Sequence, residues 1–293
     1  MQLKSTGSCV PFLVMQASDD AVKKIAIIPT MLTLGNATCG FASIAYANKI
    51  QLPADPDHFF AISGWLIFGA MICDALDGYL ARISKSASDF GMHLDSLCDA
   101  VSFGVAPAFL ILRMGPGWET PRLHQTLSMI AALYMLCTLL RLAQFNVQTS
   151  VDPASSKRFR GLPSPGAAGC LASLAIVRGD SAQKWPILQD PEILRSAIEV
   201  IAPIGALAVA ILMVSRVPYP HLTKQILRGR KPFSHLVQLV LAGFVILLIR
   251  DMAMVLLFWV YALGIPLRHL WLRSLRPADA QMPRLEDGTN RQG

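Results

Sequence analysis

Charge is scarce in this sequence: only 15% of its 293 residues are Asp, Glu, Lys or Arg, against 53% hydrophobic residues. With a mean hydropathy of +0.47, that balance excludes a soluble enzyme and a disordered binder. Cysteine pairing is missing too. The six cysteines, Cys9, Cys39, Cys73, Cys98, Cys137 and Cys170, are scattered without a CxxC spacing, so they read as small packing residues rather than disulfides or zinc ligands. No repeat of about 20 to 50 residues is visible. The short apolar patch from Val10 to Met15 lacks the basic flank and length of a secretion signal, so no cleaved leader is expected. A net charge of +7 in so apolar a chain is best spent on loops beside anionic headgroups, and no nucleic-acid partner is expected.

What the sequence has is apolar runs long enough to cross a hydrocarbon core of about 30 Å. Eight candidate spans fall at about 26–48, 58–82, 91–112, 124–147, 162–178, 194–215, 233–249 and 252–270. Only Arg250 and Asp251 part the last two, which predicts a tight hairpin, since one helix of that length would overrun a bilayer. The basic residues test the topology independently. With both termini in the cytoplasm, the inner segments hold most of them: Lys23 and Lys24, Arg82 and Lys85, the run Lys157, Arg158 and Arg160, the cluster from Arg216 to Lys231, and the arginines from Arg268 on. The outer loops hold few and carry acids such as Asp55, Asp57, Asp180 and Asp190. The expected organisation is an all-α integral membrane protein: a cytoplasmic segment 1–25, a membrane domain 26–215, a basic loop and transmembrane hairpin 216–270, and a cytoplasmic tail 271–293.

Carboxylates inside a span cost a few kcal/mol each, so an intramembrane Asp is a functional candidate by default. Here Asp74 and Asp77 end the second span, and Asp95 and Asp99 open the third. Spacings of three and four put each pair on one side of a helix. A short connection folds the two helices into an antiparallel hairpin and sets the pairs opposite each other. So many carboxylates at one point repel unless cations sit among them. An all-oxygen donor set favours Mg²⁺, Mn²⁺ or Ca²⁺ over zinc, and the first two commonly bridge carboxylates to a diphosphate. Phosphoryl or phosphatidyl transfer is the chemistry implied, with ion or proton coupling in a transporter as the rival. Gly78, Ala81 and Gly91 offer little bulk on the same hairpin, where a ligand can approach the backbone.

The spacing D-x2-D-G-x2-A-R-x8-G-x3-D-x3-D from Asp74 to Asp99 resembles the signature of the CDP-alcohol phosphotransferase family at every fixed position. That resemblance implies a homodimeric membrane enzyme with a six-helix core that moves a phosphatidyl-type group from a CDP-linked lipid to an alcohol and releases CMP. By position it implies that Asp74, Asp77 and Asp95 hold Mg²⁺ or Mn²⁺, and that Asp99 is both a ligand and the general base. Gly78, Ala81 and Gly91 would make room for the CDP-lipid, and Arg82 would face the nucleotide or a supporting carboxylate.

Flanking stretches are similar to the phosphatidylserine synthase branch of that family: Ile28 to Asn36, the run Asp99-x2-Ser102-Phe103-Gly104-x-Ala106-Pro107, Arg141 to Val147, and Gly161 to Pro165. Gln144 stands where the branch usually carries Arg. The branch implies CDP-diacylglycerol and L-serine as substrates, at a site facing the cytoplasm of the cell membrane. Arg141, Asn146, Pro163 and Ser164 are the candidate residues for serine or phosphate. As a cation Arg141 suits a serine carboxylate or a CDP phosphate equally well, ahead of structural pairing to an aspartate. Lys157, Arg158 and Arg160 read as positive-inside anchors. His93 lies outside the signature, and Glu199, in the outer half of a span, is expected to pair within the bundle. No Ser-His-Asp or Cys-His set presents itself, and no H-x-K-x4-D run occurs.

Overall fold

The structure, a computed structural model, describes residues 12–49, 56–84, 89–115, 121–151, 161–184, 191–215, 217, 219 and 250–274. Every element among the described residues is helical: α1 (Phe12–Asn48), α2 (Pro56–Ser84), α3 (Asp89–Asp99), a π-helical turn (Ala100–Val105), α4 (Ala106–Met114), α5 (Pro121–Val151), α6 (Ser164–Lys184), α7 (Pro191–Val214) and α8 (Arg250–Ser274). Helix α3, the π turn and α4 follow one another without a break.

Five stretches are long and apolar enough to cross a membrane: Ile27–Asn48, His58–Ala81, Phe90–Met114, Pro121–Val147 and Ile193–Val214. They coincide with five of the expected spans. The expected span 252–270 lies within α8, whose apolar part is Met252–Arg268, and the span expected at 233–249 lies outside the described residues. The large apolar side chains left exposed, among them Met31, Phe41, Leu140, Ile204 and Leu256, sit on these outer helices, as lipid in place of water permits.

Helix α6 covers the span expected at 162–178, yet it is not one of those five stretches. It packs against α2, α7 and α8, and Ala167, Ala168, Cys170, Leu171, Ala172, Ala175 and Ile176 are fully buried. Small side chains on a helix enclosed by others let backbones approach closely, which is what drives association where lipid provides no hydrophobic gain. At Gly64 of α2 a Cβ would stand 2.7 Å from the Ala172 carbonyl oxygen. The α1–α2 contact adds a reciprocal pair: the Ser43 hydroxyl donates to the Ser63 carbonyl and the Ser63 hydroxyl to the Ser43 carbonyl, both at 3.0 Å.

Before α6, Gly161 takes φ +90°, a left-handed conformation that favours glycine. Its amide donates to the Val217 carbonyl at 2.9 Å, and the Leu162 amide to the Leu212 carbonyl at 3.0 Å. Those bonds tie the start of α6 to the end of α7. Pro163 and Pro165 flank the first residue of the helix, where a missing N–H costs little.

At the opposite end of the bundle, buried Arg178 donates to the Met114 carbonyl at 2.8 Å, the last of α4. It also pairs with Glu199 at 3.3 Å and lies 4.4 Å from the centroid of the Phe60 ring. Glu199, which also meets Arg195 at 3.5 Å, is thus paired within the bundle as its sequence position suggests. Cys39, Cys73, Cys98, Cys137 and Cys170 are free thiols.

Candidate active site

Asp74 and Asp77 lie near the end of α2, and Asp95 and Asp99 on the short helix α3 that runs into the π turn. Carboxylate oxygens of Asp74, Asp95 and Asp99 all lie within 4.8 Å of one another. Asp99 is buried, while Asp74 and Asp95 are half-buried. A buried Oδ1 of Asp95 has no hydrogen-bond partner among the described residues, and an ion is the partner that such a carboxylate oxygen among other carboxylates asks for. The donors are hard oxygens only, so the set fits a divalent cation of the Mg²⁺ or Mn²⁺ type and not a thiophilic one.

Asp77 is not part of that group of three. It is 4% exposed, with the Thr33 hydroxyl of α1 and the Gly78 amide against one side of its carboxylate, while its Oδ2 is buried without a partner. Three residues along an α-helix turn about 300°, leaving a divergence of about 60° between the two side chains. Asp74 thus joins the α3 carboxylates directly, while Asp77 reaches α1 and stays an electrostatic neighbour of Asp95 and Asp99.

Two side chains that motif reasoning left out complete the surroundings. Asn36, fully buried on α1, donates from Nδ2 to Oδ1 of Asp99 at 2.8 Å, and the Ser102 hydroxyl donates to the Asn36 carbonyl at 2.9 Å. Ser96, between Asp95 and Asp99 on α3, accepts from Asn146 Nδ2 at 2.8 Å. The first span held a signal for Asn36, since an amide deep in an apolar run needs a partner. No spacing links position 36 to position 99, however. Replacing Asn36 with Ala frees the Asp99 carboxylate to turn and should lower turnover about 10- to 100-fold, as loss of a hydrogen bond to a charged group does. Steady-state kinetics on the folded variant checks this, and wild-type turnover would show that Asn36 does not matter to the reaction.

A family description, CDP-alcohol phosphatidyltransferase, matches residues 26–212, which include every residue of this cluster. The chain belongs to that family. Among its curated relatives is a CDP-diacylglycerol–serine O-phosphatidyltransferase of Helicobacter pylori (strain ATCC 700392 / 26695), 32% identical over 205 residues, covering 69% of this chain and 76% of the relative. The enzyme of that name from Bacillus subtilis (strain 168) is 32% identical over 201 residues, 67% of this chain and 92% of the relative. An archaetidylserine synthase of Methanothermobacter thermautotrophicus is 30% identical over 205 residues, 69% of this chain and 73% of the relative. As a member of the CDP-alcohol phosphatidyltransferase family with several apolar helices, the chain is a multi-pass membrane protein.

The remaining signature residues of this family member fall as follows. Among the described residues nothing lies within 4 Å of a Cβ built on Gly78, which leaves room beside the carboxylates. Ala81 and Gly91 are half-buried, and the side chain of Arg82 lies outside the described residues. Arg141 is 6% exposed on α5 and is an electrostatic neighbour of Tyr261 on α8. Asn146, one and a half turns further, is engaged by Ser96 as above. Ser164 is buried and Pro163 half-buried at the start of α6, and Gln144 is exposed. Lys157, Arg158 and Arg160 lie outside the described residues.

Proposed function

We propose that this membrane protein is a CDP-diacylglycerol–serine O-phosphatidyltransferase, which joins the phosphatidyl group of CDP-diacylglycerol to the hydroxyl of L-serine and releases CMP. The observation that carries the reading is the convergence of Asp74, Asp95 and Asp99 in a chain whose similar relatives bear that name. Mg²⁺ or Mn²⁺ held by these carboxylates, with Asp77 beside them, supplies neutralisation of the charge that develops on the diphosphate. The chain's own groups do the rest. Asp99, held by Asn36, accepts the proton of the serine hydroxyl. The oxygen attacks the phosphorus that carries the diacylglycerol, the bond to the CMP phosphate breaks, and CMP leaves as an anion.

Gly78, Ala81 and Gly91 form the slot for the CDP group, with Arg82 next to Ala81 in the chain, while Arg141, Asn146, Pro163 and Ser164 are assigned to serine or phosphate. Gly78→Ala separates slot from scaffold: the added methyl meets no protein atom, so the variant should fold normally. It should also raise KM for CDP-diacylglycerol about tenfold by intruding on the ligand, and an unchanged KM would move the slot elsewhere. The positive-inside pattern supports a site on the cytoplasmic face of the cell membrane with both termini inside and an even number of spans; the apolar runs count eight, and the family resemblance implies a homodimer.

The deciding experiment incubates purified protein with CDP-diacylglycerol and Mn²⁺ or Mg²⁺ and follows CMP with serine, glycerol 3-phosphate, inositol phosphate or choline. Serine-dependent CMP with an aminophospholipid product is the expected result. Release with another alcohol alone would overturn the acceptor and keep the chemistry. Release with none would favour ion coupling by the acidic hairpin.

A further inference from the structure

The π turn directly after Asp99 has a cause in the sequence and a brace in the fold. In an α-helix the carbonyl of Phe103 would accept from the amide of residue 107, but that residue is Pro107 and has no N–H. The Ala106 amide does not compensate. It donates to the Val101 carbonyl, the i to i+5 pairing of a π-helix, a form found mostly as single turns and often at functional sites.

The Phe103 carbonyl, in the interior, therefore lacks the α-helical donor that residue 107 would supply. Phe103 and Tyr134 are both 0% exposed, and the Tyr134 hydroxyl of α5 donates to that carbonyl at 3.0 Å. On its other side the turn is held by the Ser102 hydroxyl, which donates to the Asn36 carbonyl at 2.9 Å. Asn36 in turn holds Asp99 at 2.8 Å. Gly104 completes the fit, since a Cβ there would be 3.5 Å from Thr138 Cγ2 on α5. Asp99 is the residue at which the helix changes pitch, and Asp95 sits one turn before it on α3, so the rotation of that pair toward Asp74 of α2 depends on whether the turn stays π-helical.

We propose that Tyr134 is a positioning residue for Asp99: its hydroxyl stands in for the amide that Pro107 withholds and so keeps the turn in the pitch that brings Asp99, with Asp95 on the same helix, to Asp74. The inference rests on the reading of these carboxylates as the metal site. Tyr134 itself touches neither metal nor substrate and acts through the backbone of Phe103. A constellation of ligands tolerates only about 0.5 Å or 10–20° of error, so rewinding one turn is enough to spoil it.

The test is Tyr134→Phe in the full chain, which keeps the ring and deletes only the donor. The readouts are Mn²⁺ binding followed by electron paramagnetic resonance, kcat and KM on folded protein, and melting temperature. The expected result is Mn²⁺ affinity and kcat each lowered about tenfold with KM for CDP-diacylglycerol within about twofold at saturating metal. Pro107→Ala approaches the same turn from the other side, because it restores an amide that competes for the Phe103 carbonyl and lets the turn relax to α-helix. It should weaken Mn²⁺ binding with Tyr134 intact, and it carries the test if Tyr134→Phe does not fold. A lowered melting temperature with wild-type Mn²⁺ affinity and kcat would make Tyr134 structural only and overturn the proposal. Wild-type Mn²⁺ binding in both variants would do the same. Wild-type protein that binds Mn²⁺ but ignores serine refutes the acceptor and leaves this comparison valid, whereas wild-type protein that binds no Mn²⁺ removes the site and this inference with it.

Discussion

Asp99→Asn should bind CDP-diacylglycerol about as well as the wild type and release CMP on the order of 10³-fold more slowly, the loss expected when a general base is removed. The substitution suits the geometry. Asparagine keeps an Oδ1 that accepts from Asn36 Nδ2, now at 2.8 Å, so the contact between α1 and α3 survives and the loss is chemical rather than structural. One negative charge leaves the group of three carboxylates, so metal affinity falls as well, and the rate is to be read at saturating Mn²⁺ or Mg²⁺. Lipid binding by a fluorescent CDP-diacylglycerol analogue and CMP release by chromatography separate the two effects. Turnover near the wild-type rate would move the base to another residue.

Gly40→Ala should also be damaging, by a steric route. A Cβ at Gly40 would stand 2.7 Å from the Cα of Ser102 and 3.0 Å from its Cβ, a clash with backbone that no rotamer relieves. Forced separation of packed elements costs typically about 1–3 kcal/mol, and here the separation falls between α1 and the π turn. Asn36 lies one turn before Gly40 on the same face of α1, so moving α1 off Ser102 draws Asn36 from Asp99. A melting temperature lowered by several degrees and turnover lowered about 100-fold are expected from the strain together with the lost hydrogen bond. Gly104→Ala is the control, since its Cβ would meet Thr138 at an ordinary 3.5 Å and activity should hold. Equal behaviour of the two variants would mean that the close approach at Gly40 does not govern the site.

The elements most visible in the sequence were those that face lipid. Five expected spans reappear almost residue for residue, because an exposed helix in hydrocarbon must be apolar and long. The acidic hairpin was legible for the converse reason: carboxylates are so costly there that their spacing stands out. Helix α6 is harder to read from hydropathy, since its surroundings are other helices and its alanines, glycines and serine answer to packing rather than to lipid. Asp74 and Asp77 both stay close to the α3 carboxylates, and the offset of a three-residue step lets Asp77 meet Thr33 of α1 as well. Asn36 and Tyr134 were beyond reach because their partners, Asp99 and Phe103, are fixed by tertiary packing. Pro107 was in view as part of a motif, yet which carbonyl it orphans, and which hydroxyl answers, needed coordinates.

Helix α8 begins 38 positions after the end of the region that the family description matches, residues 26–212, yet it is built into the bundle. Phe258 and Trp259 occupy the room left by Gly169 of α6 and Gly205 of α7, the Trp259 indole donates to the Cys170 carbonyl at 3.2 Å, and Tyr219 donates to the Ala262 carbonyl at 2.9 Å. The tyrosine beside Arg141 comes from this helix as well. A minimal catalytic unit trimmed to the matched residues would retain each carboxylate and all of the signature, but two glycine-floored grooves would then open to the bilayer, and acyl chains would compete for the space behind the arginine.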